Sequence, residues 1–123
     1  MKISIIIPCH NEEKSIQKCV ASCLAQTRIP DQILVVNDGS TDKSGEILAT
    51  FGSKIQVLTI PTATGNKSHA QEAGLKLVTG EIFIATDGDT VLHPNLVEHI
   101  EQDFLNDASV VAVGGYVMSL KYN

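Results

Sequence analysis

Two carboxylates one residue apart, Asp87 and Asp89, follow directly on the apolar run Ile82 to Thr86 in the stretch EIFIATDGDTVL. If the backbone stays extended through them, both side chains point the same way, because strand side chains alternate with period two. Gly88 between them then leaves the main chain open to close approach. Paired hard oxygen donors at the end of a core strand suit a divalent cation, and the carboxyl ends of strands are where open α/β sheets bind ligands. Three other polar stretches also follow apolar runs: Pro8-Cys9-His10-Asn11, Asn37-Asp38-Gly39-Ser40 and Thr64-Gly65-Asn66-Lys67-Ser68. Asp38 has two readings: a turn residue with Ser40 or Thr41 capping the next helix, or a carboxylate accepting a hydrogen bond from a ligand. Lys67 is either a solvated lysine or a phosphate contact. It falls near a helix start, where its charge opposes the helix dipole unless an anionic group offsets it.

The elements that must position these residues follow from the hydrophobic pattern. Lys2 to Ile7, Gln32 to Val36, Lys54 to Ile60 and Ile82 to Thr86 read as strands, the first uninterrupted enough to be central and buried on both faces. Asn11 can cap a helix with Glu12 and Glu13 in its first turn, and Ile16, Cys19, Val20, Cys23 and Leu24 form its packing face. A second helix is expected over Asp42 to Phe51. A third carries Ala70, Ala73, Gly74, Leu77 and Val78, its small residues allowing close approach to the sheet. A fourth follows Pro94 with Leu96, Val97, Ile100, Phe104 and Leu105 inward. His93 and His99 read as surface or capping residues. Ser109 to Val113 and Tyr116 to Leu120 read as further extended segments around Gly114-Gly115. The alternation predicts one α/β domain over residues 1–123, a three-layer α/β/α sandwich with a mostly parallel sheet. The last strand, with no helix after it, is expected as an edge free to pair with a partner or with a second copy in a homodimer.

Composition narrows the function. The chain has 123 residues, 43% of them hydrophobic, and nine Lys+Arg against fourteen Asp+Glu give a formal charge of −5. No basic stripe is present to neutralise a polyphosphate backbone, so nucleic acid is excluded as a partner, whereas a small phosphorylated ligand screened by a divalent cation is not. Cys9, Cys19 and Cys23, odd in number and in apolar surroundings, argue for a reducing compartment, and Cys19 and Cys23 read as buried small hydrophobes. The first apolar run is too short for a signal-peptide core, and no run approaches the roughly 20 residues of a membrane span. A cytoplasmic location is expected.

Several motifs are absent: GxGxxG after the first strand, the spacing of GxxxxGK[ST] around Lys67, a zinc signature and an EF-hand loop. Asp87-Gly88-Asp89-Thr90-Val91 resembles the DxDx[TV] signature of haloacid-dehalogenase-like phosphohydrolases, but lies on the fourth strand rather than the first and no further acidic motif follows. Taken in order, PCHNEEKSIQKCVASCLAQT, VVNDGSTDKS, GNKSHAQEAGLKLVTGE and FIATDGD resemble the nucleotide-sugar-binding half of the family 2 glycosyltransferases. They resemble most the processive branch that makes poly-N-acetylglucosamine, hyaluronan and cellulose.

The resemblance implies a Rossmann-like GT-A fold and transfer of a sugar from a UDP-sugar donor, with inversion, to a glycan acceptor hydroxyl. Pro8, His10 and Asn11 would line the uracil pocket, His10 standing where an aromatic ring often stacks on the base. Asp38 would bond to uracil, with Asn37 where a second aspartate is more usual. Lys67 would lie near the base and diphosphate. Asp87 and Gly88 would face the ribose and metal-bound water, and Asp89 would ligate Mn²⁺ or Mg²⁺ together with Asp87. The general base and the acceptor half are expected outside these residues, in a membrane-associated parent. Glu98, Glu101, Asp103 and Asp107 are poor candidates for that base. The isolated chain is expected to be inactive, and a non-catalytic nucleotide-binding or oligomerisation module is the alternative of a different class.

Overall fold

The computed structural model describes residues 1–106, 112–113 and 117–119. Four strands and four helices alternate: β1 (Ile3–Cys9), α1 (Ile16–Leu24), β2 (Gln32–Asp38), α2 (Ser44–Ala49), β3 (Gln56–Ile60), α3 (Lys67–Leu75), β4 (Ile82–Ala85) and α4 (Leu96–Asn106). Two short strands follow, β5 (Ala112–Val113) and β6 (Val117–Ser119). The sheet order is β3-β2-β1-β4-β6-β5. β1 pairs in parallel with β2 and β4, and β2 with β3, while β6 is antiparallel to both β4 and β5. All seven residues of β1 are buried, as befits the centre of a covered parallel sheet, and its one buried hydroxyl, Ser4, donates to Gln32 Oε1 at 2.7 Å.

Side-chain alternation divides the core into two layers. Ile3, Ile5, Ile7, Ile33, Val35, Ile82 and Ile84 pack with Ile16, Cys19, Val20 and Cys23 of α1, Leu48 of α2 and Val97, Ile100 and Phe104 of α4. Ile6, Leu34, Val36 and Phe83 face the other way and pack on Ala70 of α3. The small residues of α3 do bring it close: a Cβ built on Gly74 would lie 2.6 Å from Ile6 Cδ1 and 2.7 Å from Val36 Cγ2.

Five expectations change. α3 ends at Leu75, so Leu77, which is exposed, and Val78 lie beyond the helix rather than on its packing face. α1 begins at Ile16 rather than beside Asn11, after a turn in which the Glu12 carbonyl accepts from the Ser15 and Ile16 amides. α2 is shorter than Asp42 to Phe51 and is followed by a 3₁₀ turn over Gly52–Lys54. Leu105 is 64% exposed, so the inward face of α4 ends at Phe104. Among the described residues the terminal strand β6 is an interior one, paired with β4 along Val117–Ser119 and with β5 at Val117 and Met118, so β5 and not β6 lies at the sheet edge. Residues 109–111, Gly114-Gly115, Tyr116 and Leu120 of the expected last segments lie outside the described residues, as does Asp107.

Candidate functional site

A cavity of about 380 Å³ opens where the loops after β1, β2 and β3 meet, with Pro8, His10, Glu12, Asp38, Asn66 and Lys67 among its lining residues. Four of the residues singled out from sequence therefore share one pocket. The position is a consequence of topology, since β1 and β2 are parallel neighbours and deliver Pro8 and Asp38 to the same edge of the sheet.

Asp38 is 5% exposed, and both of its carboxylate oxygens are engaged by one residue. The Thr64 amide donates to Oδ1 at 2.9 Å and the Thr64 hydroxyl to Oδ2 at 2.6 Å. Gly39 makes this contact sterically feasible. Its φ is +60°, and a Cβ there would lie 2.2 Å from the Ala63 nitrogen, so the Ala63–Thr64 backbone passes through the space a side chain would fill. The Asp38 carbonyl lies 2.6 Å from His10 Nδ1. A carbonyl only accepts, so Nδ1 carries the proton and Nε2 is the acceptor of the neutral ring. Asp38 thus lines the cavity with its carboxylate held by Thr64.

The Ser44 amide at the start of α2 donates to Asp42 Oδ1 at 2.9 Å, and the loop just before it is held by Asn11, 27 residues upstream of Asp38. Asn11 Oδ1 accepts from the Thr41 amide at 2.8 Å and from the Asp42 amide at 3.3 Å, with its own φ at 52°. Asn11 thus locks the β1 loop to the β2 loop, and it is not among the residues lining the cavity.

The Asp87-Gly88-Asp89 segment is a turn, not an extended continuation of the strand. β4 ends at Ala85, and the Thr90 amide returns to the Asp87 carbonyl at 3.0 Å. The period-two argument for two side chains on one side therefore does not hold here. Nor is the space at Gly88 open: a Cβ would sit 3.2 Å from Glu12 Cγ and 3.4 Å from the Pro8 carbonyl, so the β1 loop fills it. α1 fastens the turn from beneath, the Ser15 hydroxyl donating to the Gly88 carbonyl (3.1 Å) and the Cys19 thiol to the Asp87 carbonyl (3.4 Å). The Asp87 carboxylate reaches Lys67 Nζ at 2.5 Å.

That ion pair supplies the anionic group the α3 N-terminus needs beside a lysine. Its hydrogen bond to Asp87, followed by the fields of Asp89 and Glu12, pushes Lys67 above the usual lysine range. Asn66 caps the same helix, its Oδ1 accepting from the Ser68 amide at 2.7 Å. Asp89 is exposed. Among the described residues, no three His, Cys, Asp or Glu side chains are grouped to hold a metal ion. The turn contributes two carboxylates, the donor type and number with which Mg²⁺ is held where substrate phosphates and water complete the shell.

The remaining polar candidates are occupied elsewhere. Glu98 accepts from the Thr27 hydroxyl and Glu101 is paired with Arg28. The His93 carbonyl receives Gln26 Nε2 while its Nδ1 accepts from the Asn95 amide, a capping role as expected. All three cysteines are free and buried. Sequence reasoning missed Glu12 as a pocket residue and Thr64 as the partner of Asp38. A buried Asp38 demands a donor, but nothing local says that the donor stands 26 residues on.

The model of glycosyl transferase family 2 matches residues 4–121. Hyaluronan synthase of Pasteurella multocida is 32% identical over 112 residues, 90% of this chain and 12% of that protein. The crystal structure of Staphylococcus aureus TarS 1-349 in complex with UDP-GlcNAc aligns with a TM-score of 0.79 at 26% identity, over 86% of this chain and 32% of that one. Glucosyl-3-phosphoglycerate synthase of Mycobacterium tuberculosis, in complex with Mn²⁺, UDP and glucosyl-3-phosphoglycerate, shares the fold with a TM-score of 0.73 at 24% identity, over 89% and 42% of the two chains. The chain spans from 12% to 38% of the length of the first curated relatives it matches. A family match over nearly the whole chain removes the phosphohydrolase reading of Asp87-Gly88-Asp89. With its parallel β3-β2-β1-β4 core and loop-built pocket, the chain belongs to glycosyl transferase family 2 and has the GT-A fold.

Proposed function

We propose that this chain is the donor-binding portion of an enzyme that transfers a sugar, with inversion, from a UDP-sugar to a glycan hydroxyl. The observation that carries the proposal is the single cavity uniting Pro8, His10, Asp38 and Lys67, with the Asp87 turn tied to Lys67. On this reading Asp38, as a carboxylate, accepts the ring N–H of uracil, and the His10 ring, fixed by the Asp38 carbonyl, offers a flat face to the base. Lys67 contacts the diphosphate as a mobile point charge.

Electrostatics favours a metal-assisted donor. Asp87, Asp89 and Glu12 act on the one cavity lysine, Lys67, and Asp38 lines the same cavity, so a bare diphosphate would be repelled. Asp87 and Asp89 would hold a divalent cation, Mn²⁺ or Mg²⁺, which when bound screens the diphosphate and stabilises the departing UDP. The relatives' additional length leaves the acceptor site and the general base to other parts of a longer protein. The chain alone is expected to bind UDP while transferring sugar poorly.

Calorimetric titration of UDP in the presence and absence of Mn²⁺ tests this. Metal-dependent binding that is lost in Asp89→Ala is the expected result. Binding that ignores the metal, or that survives unchanged in the variant, overturns the assignment.

A further inference from the structure

We infer that Thr64 is a positioning residue that sets base selectivity by immobilising the Asp38 carboxylate; this rests on the cavity being the UDP site. A carboxylate has about four acceptor positions. Thr64 takes one on each oxygen, through its amide on Oδ1 and its hydroxyl on Oδ2. Two donors from Thr64 fix the carboxylate plane, and His10 Nδ1 donates to the Asp38 carbonyl. Asp38 therefore meets the pocket as an acceptor that cannot turn.

A fixed acceptor discriminates between pyrimidines. Uracil presents a ring N–H between two carbonyls. Cytosine presents a bare ring nitrogen at the same place, with an amino group beside it. Against an immobile carboxylate, cytosine sets lone pair against lone pair, whereas a carboxylate free to rotate can seek the amino group. Sites built around a buried hydrogen bond reject analogues because the site's own polar group is left unpaired. Holding Asp38 still makes that rejection effective.

The same residue reaches the other end of the pocket. The Thr64 hydroxyl accepts from the Asn66 amide at 3.3 Å, and Asn66 caps the helix that begins with Lys67. Thr64 is itself exposed and contributes nothing to the apolar core, so its hydroxyl can be removed without disturbing the sheet. Gly39 shows the fold accommodating this contact, because the Ala63–Thr64 backbone occupies the volume of its missing side chain.

The test is calorimetric titration of the full chain with UDP and with CDP at fixed Mn²⁺, for the wild type, Thr64→Val, Thr64→Ala and Thr64→Ser, each with a thermal melt. Wild type should favour UDP. Thr64→Val and Thr64→Ala should each weaken UDP roughly tenfold and shrink the UDP-to-CDP ratio by a similar factor, the loss of one charge-assisted hydrogen bond. Thr64→Ser, which keeps the hydroxyl, should restore the ratio. Asp38→Asn combined with Thr64→Val should lose less than the two single changes together. An unchanged ratio in both Thr64→Val and Thr64→Ala, with wild-type UDP binding intact, overturns the role of Thr64 alone. A ratio that falls equally in Thr64→Ser makes Thr64 merely structural. A wild type that binds neither nucleotide overturns the site reading, and this inference with it.

Discussion

Gly39→Ala, read against Gly52→Ala, separates backbone strain from the crowding that shapes the pocket. Both glycines have left-handed φ values, +60° and +58°. A Cβ at Gly52 meets nothing within 4 Å, whereas one at Gly39 would stand 2.2 Å from the Ala63 nitrogen, 2.5 Å from its Cα and 2.8 Å from its Cβ. The left-handed conformation alone costs an L-residue about 1–2 kcal/mol, and that is the whole expectation for Gly52→Ala. At Gly39 the obstacle is backbone, which cannot turn aside as a flexible side chain can, so the Ala63–Thr64 segment has to retreat. Retreat breaks two hydrogen bonds to a carboxylate, each worth about 1.5–3 kcal/mol when made to a charged group, part of which water returns because Thr64 is exposed. Gly39→Ala should therefore lose about 3–4 kcal/mol. With roughly 4 °C per kcal/mol for a domain of this size, thermal melts should fall about 12–16 °C at Gly39 and about 4–8 °C at Gly52. UDP affinity should drop at least tenfold in the first variant and stay constant in the second. Equal melting shifts, or a Gly39→Ala protein that binds UDP normally, would refute the reasoning, because the Ala63–Thr64 segment would then not depend on the missing side chain.

Two further outcomes follow from charges and thiols. Burial alone would raise the Asp31 pKa, but the Ile3 amide and Arg28 outweigh it and hold Asp31 below the usual carboxylate value of 3.8. A depressed folded pKa means stability present at neutral pH and lost as pH falls through the folded value, so urea melts should show Asp31→Asn weaker than wild type at pH 7 and the gap closing towards pH 3. Burial raises the Cys9 thiol, while the neighbouring Cys23 thiol, then burial, raise Cys19 far more. Since the thiolate is the reactive form, Ellman's reagent at pH 8 should label Cys9 and Cys19 only upon denaturation; rapid labelling of the native protein would contradict their burial.

Most of the scaffold was legible because it depends on local pattern. Ile5 to Ile7 and Ile33 to Val36 are apolar without interruption, and only strands covered on both faces tolerate that. The face of α1 and the small residues of α3 followed from helical period. Where reasoning went astray, the deciding contact was distant in sequence. Asn11 looked like the cap of the helix it precedes, yet its carbonyl oxygen serves Thr41 and Asp42, because the β1 and β2 loops are neighbours in space. Asp87 and Asp89 looked like a continuation of β4, but the Asp87 and Gly88 carbonyls are drawn to Cys19 and Ser15 of α1, which turns the chain. The order of the last strands is likewise a matter of pairing, and no periodicity places β6 between β4 and β5.

The ion pair of Lys67 and Asp87 bears on how an acidic turn can serve an anionic ligand. Both side chains are about half exposed, 56% and 41%, and pairs of this kind are worth only about 0–1 kcal/mol. Breaking it is therefore cheap. On the proposed reading, Lys67 neutralises the Asp87 turn in the free protein and would contact the diphosphate of a bound donor, leaving Asp87 available to hold a cation. Neither charge is left unpaired at any stage, which a buried and stronger pair could not achieve without a barrier of several kcal/mol. The weakness of the contact is what suits it to the role. It also explains why Lys67 tolerates the unfavourable end of α3: the carboxylate that offsets the helix dipole in the free protein would be replaced there by the phosphates of the ligand.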